Sequence, residues 1–211
     1  MAVGGNVLEQ LASALDRRDE VPNQELARKI ASAQDSEAVK ILIENLNHKD
    51  KAIQSDCIKV LYEIAEIDPQ LAANYAQVFI EFLKHKNNRL QWGAMTALHA
   101  ICLENPSFIY KALPQIVEAG EKGSVITKDN LVKLLVKMAS LAEYADDAFD
   151  LLCEQVLRSP TNQLPLYAEL ALPIISNPNK KKFSEILQSR LNEVEKESKR
   201  KRLEKVIKKL T

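Results

Sequence analysis

Apolar residues at Ile53, Cys57, Val60, Leu61 and Ile64 follow the i, i+4, i+7, i+8 rhythm of one buried helical face. Ala38, Leu42, Ile43 and Leu46 do the same over 38–46. Asp50 stands in the polar gap between the two patterns, where its side chain can cap the free N–H groups of the second helix. Asp68-Pro69 then closes that helix, because proline disfavours helical geometry in the residue before it. The pattern predicts helix, tight turn, helix, stop.

The unit is written again. "LNHKDKAIQ" starts at Leu46 and "LKHKNNRLQ" at Leu83, 37 residues later. Leu46, His48, Lys49, Gln54, Leu61, Ile64 and Pro69 correspond to Leu83, His85, Lys86, Gln91, Leu98, Ile101 and Pro106. Asn87 takes the place of the capping Asp50, and Asn105-Pro106 that of Asp68-Pro69. A fixed period of this size marks a helical-repeat array. A third copy carries Ile116, Val117, Leu131, Leu134, Leu135 and Met138, with a drifted turn, "EKGSVITKD". A fourth runs from about Ala148 to Ser176; Pro165 is expected to start its second helix and Pro173 to kink it. Ahead of the array, 6–16 and 23–34 read as two short helices without the repeat spacing, as a terminal cap requires.

Leu46, Asp50, Ile53, Cys57 and Leu61, and again Leu83, Leu90, Ala94 and Leu98, resemble HEAT or armadillo-type helical repeats over about 36–178. The resemblance implies an all-α fold, a right-handed α-α superhelix (α-solenoid) of about four helical hairpins with terminal capping helices. The expected organisation is one domain: cap helices 1–35, repeats 36–178 and a basic helical segment 179–211. A tetratricopeptide reading is disfavoured, since its Trp-Leu-Gly-Tyr pattern is missing and the period is too long.

Composition agrees with a folded helical chain: 46% apolar, 27% charged, with few Gly (5) and Pro (8). Cys57, Cys102 and Cys153 have neither zinc-knuckle nor redox-pair spacing and sit in apolar helical contexts, so buried free thiols in a reducing cytoplasm are expected. The N-terminus lacks a basic start and an apolar core, so no signal peptide is read there, and no apolar run is long enough to span a membrane. Net charge is zero but unevenly spread: Lys180–Thr211 carries 12 basic and 5 acidic residues, and the rest of the chain 17 basic and 24 acidic.

Candidate contact residues come from the second helices, which in families of this kind line the concave, partner-binding side. Helical spacing turns Trp92, Met95, Thr96 and His99 away from their own core face, with Ser55, Ile58, Lys59 and Tyr62 one repeat earlier and Asp129, Val132, Lys133 and Val136 one later. Trp and Tyr are favoured interface anchors. Trp92 and Tyr62 are therefore the expected anchors of a protein or peptide partner, with His99, Lys59, Met95 and Lys133 around them. His48-Lys49 and His85-Lys86 are read as solvated turn residues, since a metal needs three or four converging ligands. No catalytic, metal or cofactor motif is present, and a monomeric, non-catalytic scaffold or adaptor is expected.

The alternative is nucleic-acid binding, in the manner of helical-repeat DNA glycosylases or through the basic end. That end carries Lys199, Arg200, Lys201, Arg202, Lys205, Lys208 and Lys209. Such a cluster suits nucleic acid, an anionic membrane or, in a eukaryote, a nuclear import receptor. The acidic repeat region argues against the glycosylase form, because phosphate binding depends on Lys and Arg.

Overall fold

A computed structural model describes residues 6–210; residues 1–5, the start of the expected N-terminal cap, and Thr211 lie outside the described residues. Among the described residues every regular element is helical. Two compact units divide between Leu131 and Val132.

The first unit opens with a 3-10 turn, Val7–Gln10, followed by α1 (Val21–Ala33), α2 (Ser36–Glu44), α3 (Lys51–Ile67), α4 (Pro69–Ala73), α5 (Ala76–Phe82), α6 (Asn88–Ile101), α7 (Pro106–Lys122) and the start of α8 (Val125–Ala139). The helix expected over 6–16 is instead this short 3-10 turn followed by hydrogen-bonded turns over 12–16. Its backbone is claimed from elsewhere: the Ala12 N–H donates to Asn23 Oδ1 at 2.9 Å and the Ser13 N–H to Asp56 Oδ2 at 2.8 Å. Asn23 Nδ2 in turn donates to Asp56 Oδ1 at 2.7 Å. Two buried polar side chains thus fasten the entry segment onto α1 and α3.

The copied nonapeptide is the same joint built twice. Asp50 accepts from the Ala52 N–H at 2.8 Å and Asn87 from the Arg89 N–H at 2.9 Å, capping α3 and α6. His48 Nδ1 accepts from the Asp50 N–H, and His85 Nδ1 from the Asn87 N–H, both at 3.0 Å. Gln54 and Gln91 reach back to the carbonyls of His48 and Leu83. The histidines therefore satisfy the cap residue's own N–H, a role not legible in spacing alone.

Pro69 also does more than stop α3. It sits in the first turn of α4, where proline's missing N–H costs nothing. The second repeat is thus three helices, α4, α5 and α6, where the sequence predicts two. In the third, α7 runs unbroken through Pro114. Its drifted turn still caps α8, because Ser124 Oγ accepts from the Thr127 N–H at 3.3 Å.

Second helices pack flank to flank: α3 lies against α1 on one side and α6 on the other. The close approach to α6 depends on Gly93, where an added Cβ would stand 2.6 Å from Ile58 Cγ1. Ile58, Met95, Leu61 and Leu98 are fully buried.

The second unit comprises the rest of α8, α9 (Ala145–Leu157), α10 (Leu164–Ala171), α11 (Asn177–Arg190) and α12 (Glu197–Leu210). Pro173 ends α10 in a 3-10 turn instead of kinking it, since it withdraws an N–H the helix needs to continue. Phe149 of α9 and Phe183 of α11 pack with centroids 6.2 Å apart. Arg190 is buried at the end of α11, donating to the carbonyls of Val156 (3.0 Å) and Ser159 (2.7 Å) and so closing the C-terminus of α9. The apolar stripe Leu203, Val206 and Leu210 seats α12 on α10.

Candidate functional site

Lys59 of α3 points into the seam toward α1, and Trp92 of α6 faces Tyr62 of α3. Their rings lie 5.5 Å apart, tilted by 51°, a spacing favoured for aromatic pairs. Each ring carries a cation from its own ridge: Lys59 Nζ lies 4.8 Å from the Tyr62 centroid and the Arg89 guanidinium 5.9 Å from the Trp92 centroid.

Two carboxylates tie the cations down. Glu20, just before α1, pairs with Lys59 at 2.8 Å and Arg89 at 2.9 Å; Glu63, one turn along α3, takes Lys59 at 2.6 Å. The Lys59 side chain is 5% exposed, so its charge is largely withdrawn from water. Burial disfavours that charge, but the hydrogen bonds the ammonium donates to Glu20 and Glu63 outweigh it and hold Lys59 above its ordinary range. The Lys59 hydrogen bond holds the Glu20 carboxyl below its own. Burial pushes the Tyr62 phenol up, partly opposed by Lys59.

Tyr62, Lys59 and Trp92 are thus brought together, while other candidates lie elsewhere. Trp92 is half-buried and keeps contact with solvent. The exposure expected of Ile58, Lys59, Tyr62, Met95 and Thr96 is corrected: all five are buried, Met95 completely. The face opposite the first helix of a repeat is covered by the neighbouring second helix, a packing that spacing within one helix does not reveal. Val132, buried in the second unit, departs from the expectation in the same way. Met95 is a packing residue of α6 and not a contact surface. His99 is half-buried further along α6. Lys133 is half-buried too and belongs to the second unit.

Glu20, Glu63 and Arg89 were missed by the sequence reading. Glu63 is signalled by its i+4 offset from Lys59. Glu20 and Arg89 meet across 69 residues, and nothing local marks them.

The basic end is mostly engaged within its own unit. Arg202 grips Glu169 of α10 with Nε at 2.8 Å and Nη2 at 2.5 Å, and holds that carboxyl below its ordinary range. Lys199 donates to both the carbonyl and Oδ1 of Asn162, at 2.7 and 2.9 Å. Lys201 pairs with Glu197 at 2.9 Å and Arg200 with Glu204 at 3.4 Å. Lys205, Lys208 and Lys209 are exposed.

The thiols offer no ready nucleophile. Burial pushes Cys57 up to about 12 and Cys153 up to about 11, and Cys102 is buried as well. Among the described residues no group of three or more His, Cys, Asp and Glu could hold a metal ion, and no helix is long and apolar enough to cross a membrane.

No family model matches the chain, and no curated protein is similar to it in sequence. Solved structures are similar in fold. A designed armadillo repeat protein matches over 97% of this chain and 100% of its own at 15% identity, with a TM-score of 0.59. A second, in complex with the peptide (KR)4, matches over 97% of this chain and 99% of its own at 17% identity and TM-score 0.63. A third, computationally designed for modular peptide recognition, covers 97% and 98% at 17% identity and TM-score 0.61. At these identities the likeness concerns fold alone. This chain has an all-α, armadillo/HEAT-like repeat fold.

Proposed function

We propose that this chain is a non-catalytic interaction scaffold that takes an extended segment of a partner protein along α3 and α6. The observation that carries the reading is the Tyr62–Trp92 pair. It is an aromatic step held rigid from behind by Lys59, Glu20 and Arg89, with Trp92 still open to solvent. Rigid aromatic side chains bind at low entropic cost and recur as interface anchors. Repeat folds of this type present such ridges as continuous binding surfaces, and the similar designed protein bound to (KR)4 shows that one protein of the fold takes a peptide. Here His99 provides a polar contact further along α6, and Lys59 sets the polarity beneath Tyr62. Lys133, on the second unit, is proposed as a separate polar contact.

The ridge differs from a bare aromatic ladder in one respect. Cations of the chain itself already lie over both rings. A partner side chain reaching Trp92 is therefore expected to be apolar or aromatic, since a basic one would have to displace Arg89 from Glu20.

Trp92 is the chain's sole tryptophan, so its emission reports the site directly. Peptides selected from a displayed random library should shift that emission on titration, and Trp92→Ala should lose at least about tenfold in affinity, the ordinary cost of truncating an anchor. Selected peptides that bind Trp92→Ala as well as the parent, with the variant folded, would place the site elsewhere.

A further inference from the structure

The outward face of α12 is a strongly charged surface that the proposed function leaves unused. Its apolar stripe is spent on α10, and Arg202 and Lys199 are spent as side locks on Glu169 and Asn162. Arg200 and Lys201 form ion pairs with exposed carboxylates of their own helix, and such pairs hold weakly in water, while Arg200 also donates to Asn192 Oδ1 at 3.5 Å. Lys205 and Lys209, one turn apart and exposed, favour the Glu169 carboxylate through space, but the direct contact with that carboxylate is made by Arg202. Lys208 stands exposed between them. Between α11 and α12 lies a groove of ≈ 420 Å³, lined by Asn177, Lys180, Lys181, Ser184, Glu185 and Gln188 of α11 with Leu210 of α12. Lys180–Thr211 as a whole holds 12 basic against 5 acidic residues.

We infer that this face docks the sugar–phosphate backbone of duplex nucleic acid, with Lys205 and Lys209 as the principal contacts and Lys208 beside them. Three observations select this partner among polyanions. A helix pinned along its apolar side cannot turn that side into a bilayer, as interfacial helices do. Single strands are held by stacking bases on aromatic side chains, yet the only aromatic residue in α11 and α12, Phe183, is fully buried. Lysines one helical turn apart lie about 6 Å from each other along a rigid axis, a fixed row suited to consecutive phosphates. The contact reads no base sequence. It involves none of the ridge residues of the first unit, so either proposal can fail alone.

Fluorescence anisotropy with a labelled, mixed-sequence DNA duplex tests it, using the full chain and the double variant Lys205→Glu/Lys209→Glu. For three neutralised phosphates, affinity of the parent should fall ~40-fold between about 50 and about 200 mM salt. At the lower salt the double variant should bind at least about tenfold more weakly, with an unchanged melting profile by circular dichroism. Should charge reversal lower the melting temperature, the neutral pair Lys205→Gln/Lys209→Gln replaces it, with a smaller loss expected. Three results would overturn the inference: no duplex binding by the folded parent at low salt, equal binding by the folded variant, or tighter binding to a single strand of equal length or to phosphatidylserine vesicles.

Discussion

Gly93 is where one hydrogen atom decides how closely two helices meet. Alanine is the better helix former by about 1 kcal/mol, so on propensity alone Gly93→Ala would stabilise α6. The added Cβ would fall 2.6 Å from Ile58 Cγ1, a branch atom of a fully buried side chain that cannot swing clear. Overpacking of this kind costs about 1–3 kcal/mol, so urea denaturation should show a net loss, larger for Gly93→Leu. A stabilised Gly93→Ala would mean that α3 and α6 separate freely. Glu20 is the second residue whose role lies in its neighbours. Its folded carboxyl titrates below its ordinary 4.5 because Lys59 and Arg89 favour the anion. Its contribution is therefore complete above that ordinary value and disappears as pH falls through the lowered one. The stability gap between the parent and Glu20→Gln should be present near pH 7 and shrink as pH falls below the ordinary carboxylate range. A gap independent of pH would assign Glu20's effect to packing.

At the scale of elements, the duplicated joint makes a paired prediction. Asp50 and Asn87 cap α3 and α6 through the same bond, to the N–H two residues on. Asp50→Ala and Asn87→Ala should each cost about 1 kcal/mol in thermal or chemical denaturation. Serine, whose hydroxyl can accept the same bond, should restore most of it. If the two sites respond very differently, the copied turn is conserved in letter but not in energetics. The joint also explains why the two units share His as well as the cap. The imidazole Nδ1 supplies the acceptor for the cap residue's N–H, which would otherwise go unmet at the helix entrance. The 3-10 turn at Val7–Gln10 follows from the same accounting. With the Ala12 and Ser13 N–H groups bonded to Asn23 and Asp56, the segment cannot also close helical hydrogen bonds there.

For the molecule as a whole, the two units have their own cores and their own buried polar fasteners, Asp56 in one and Arg190 in the other. Repeat proteins are stabilised mainly through neighbouring elements, so damage should stay near its source. Asp56→Ala strips two donors of their acceptor, at about 1–3 kcal/mol for each group left unsatisfied in a buried site. Hydrogen exchange should show the loss in α1 and α3, while amide protection in α11 and α12 stays as in the parent. Loss of protection throughout would show that the chain unfolds as one cooperative body.

Periodicity determined the main repeat helices, the caps at Asp50 and Asn87 and the apolar stripe of α12, because each is written within a few helical turns or one tight joint, and the copied joint revealed the repeat. The 3-10 turn at Val7–Gln10 and the split into α4 and α5 were decided by contacts and by Pro69. Resemblance at Leu46, Asp50, Ile53, Cys57 and Leu61 was enough for the fold class, which the similar solved structures share. Local spacing also singled out Trp92, Tyr62 and Lys59, but with the wrong surroundings for two of them, since a residue's offset from its own core face says nothing about which helix lies alongside. Only tertiary packing laid α6 against α3 with Ile58 against Gly93, buried Met95, and brought Glu20 and Arg89 together across 69 positions. The same holds at the basic end. Composition counted the charges, and the docking of α12 on α10 decided which of them are spent inside the fold and which face outward.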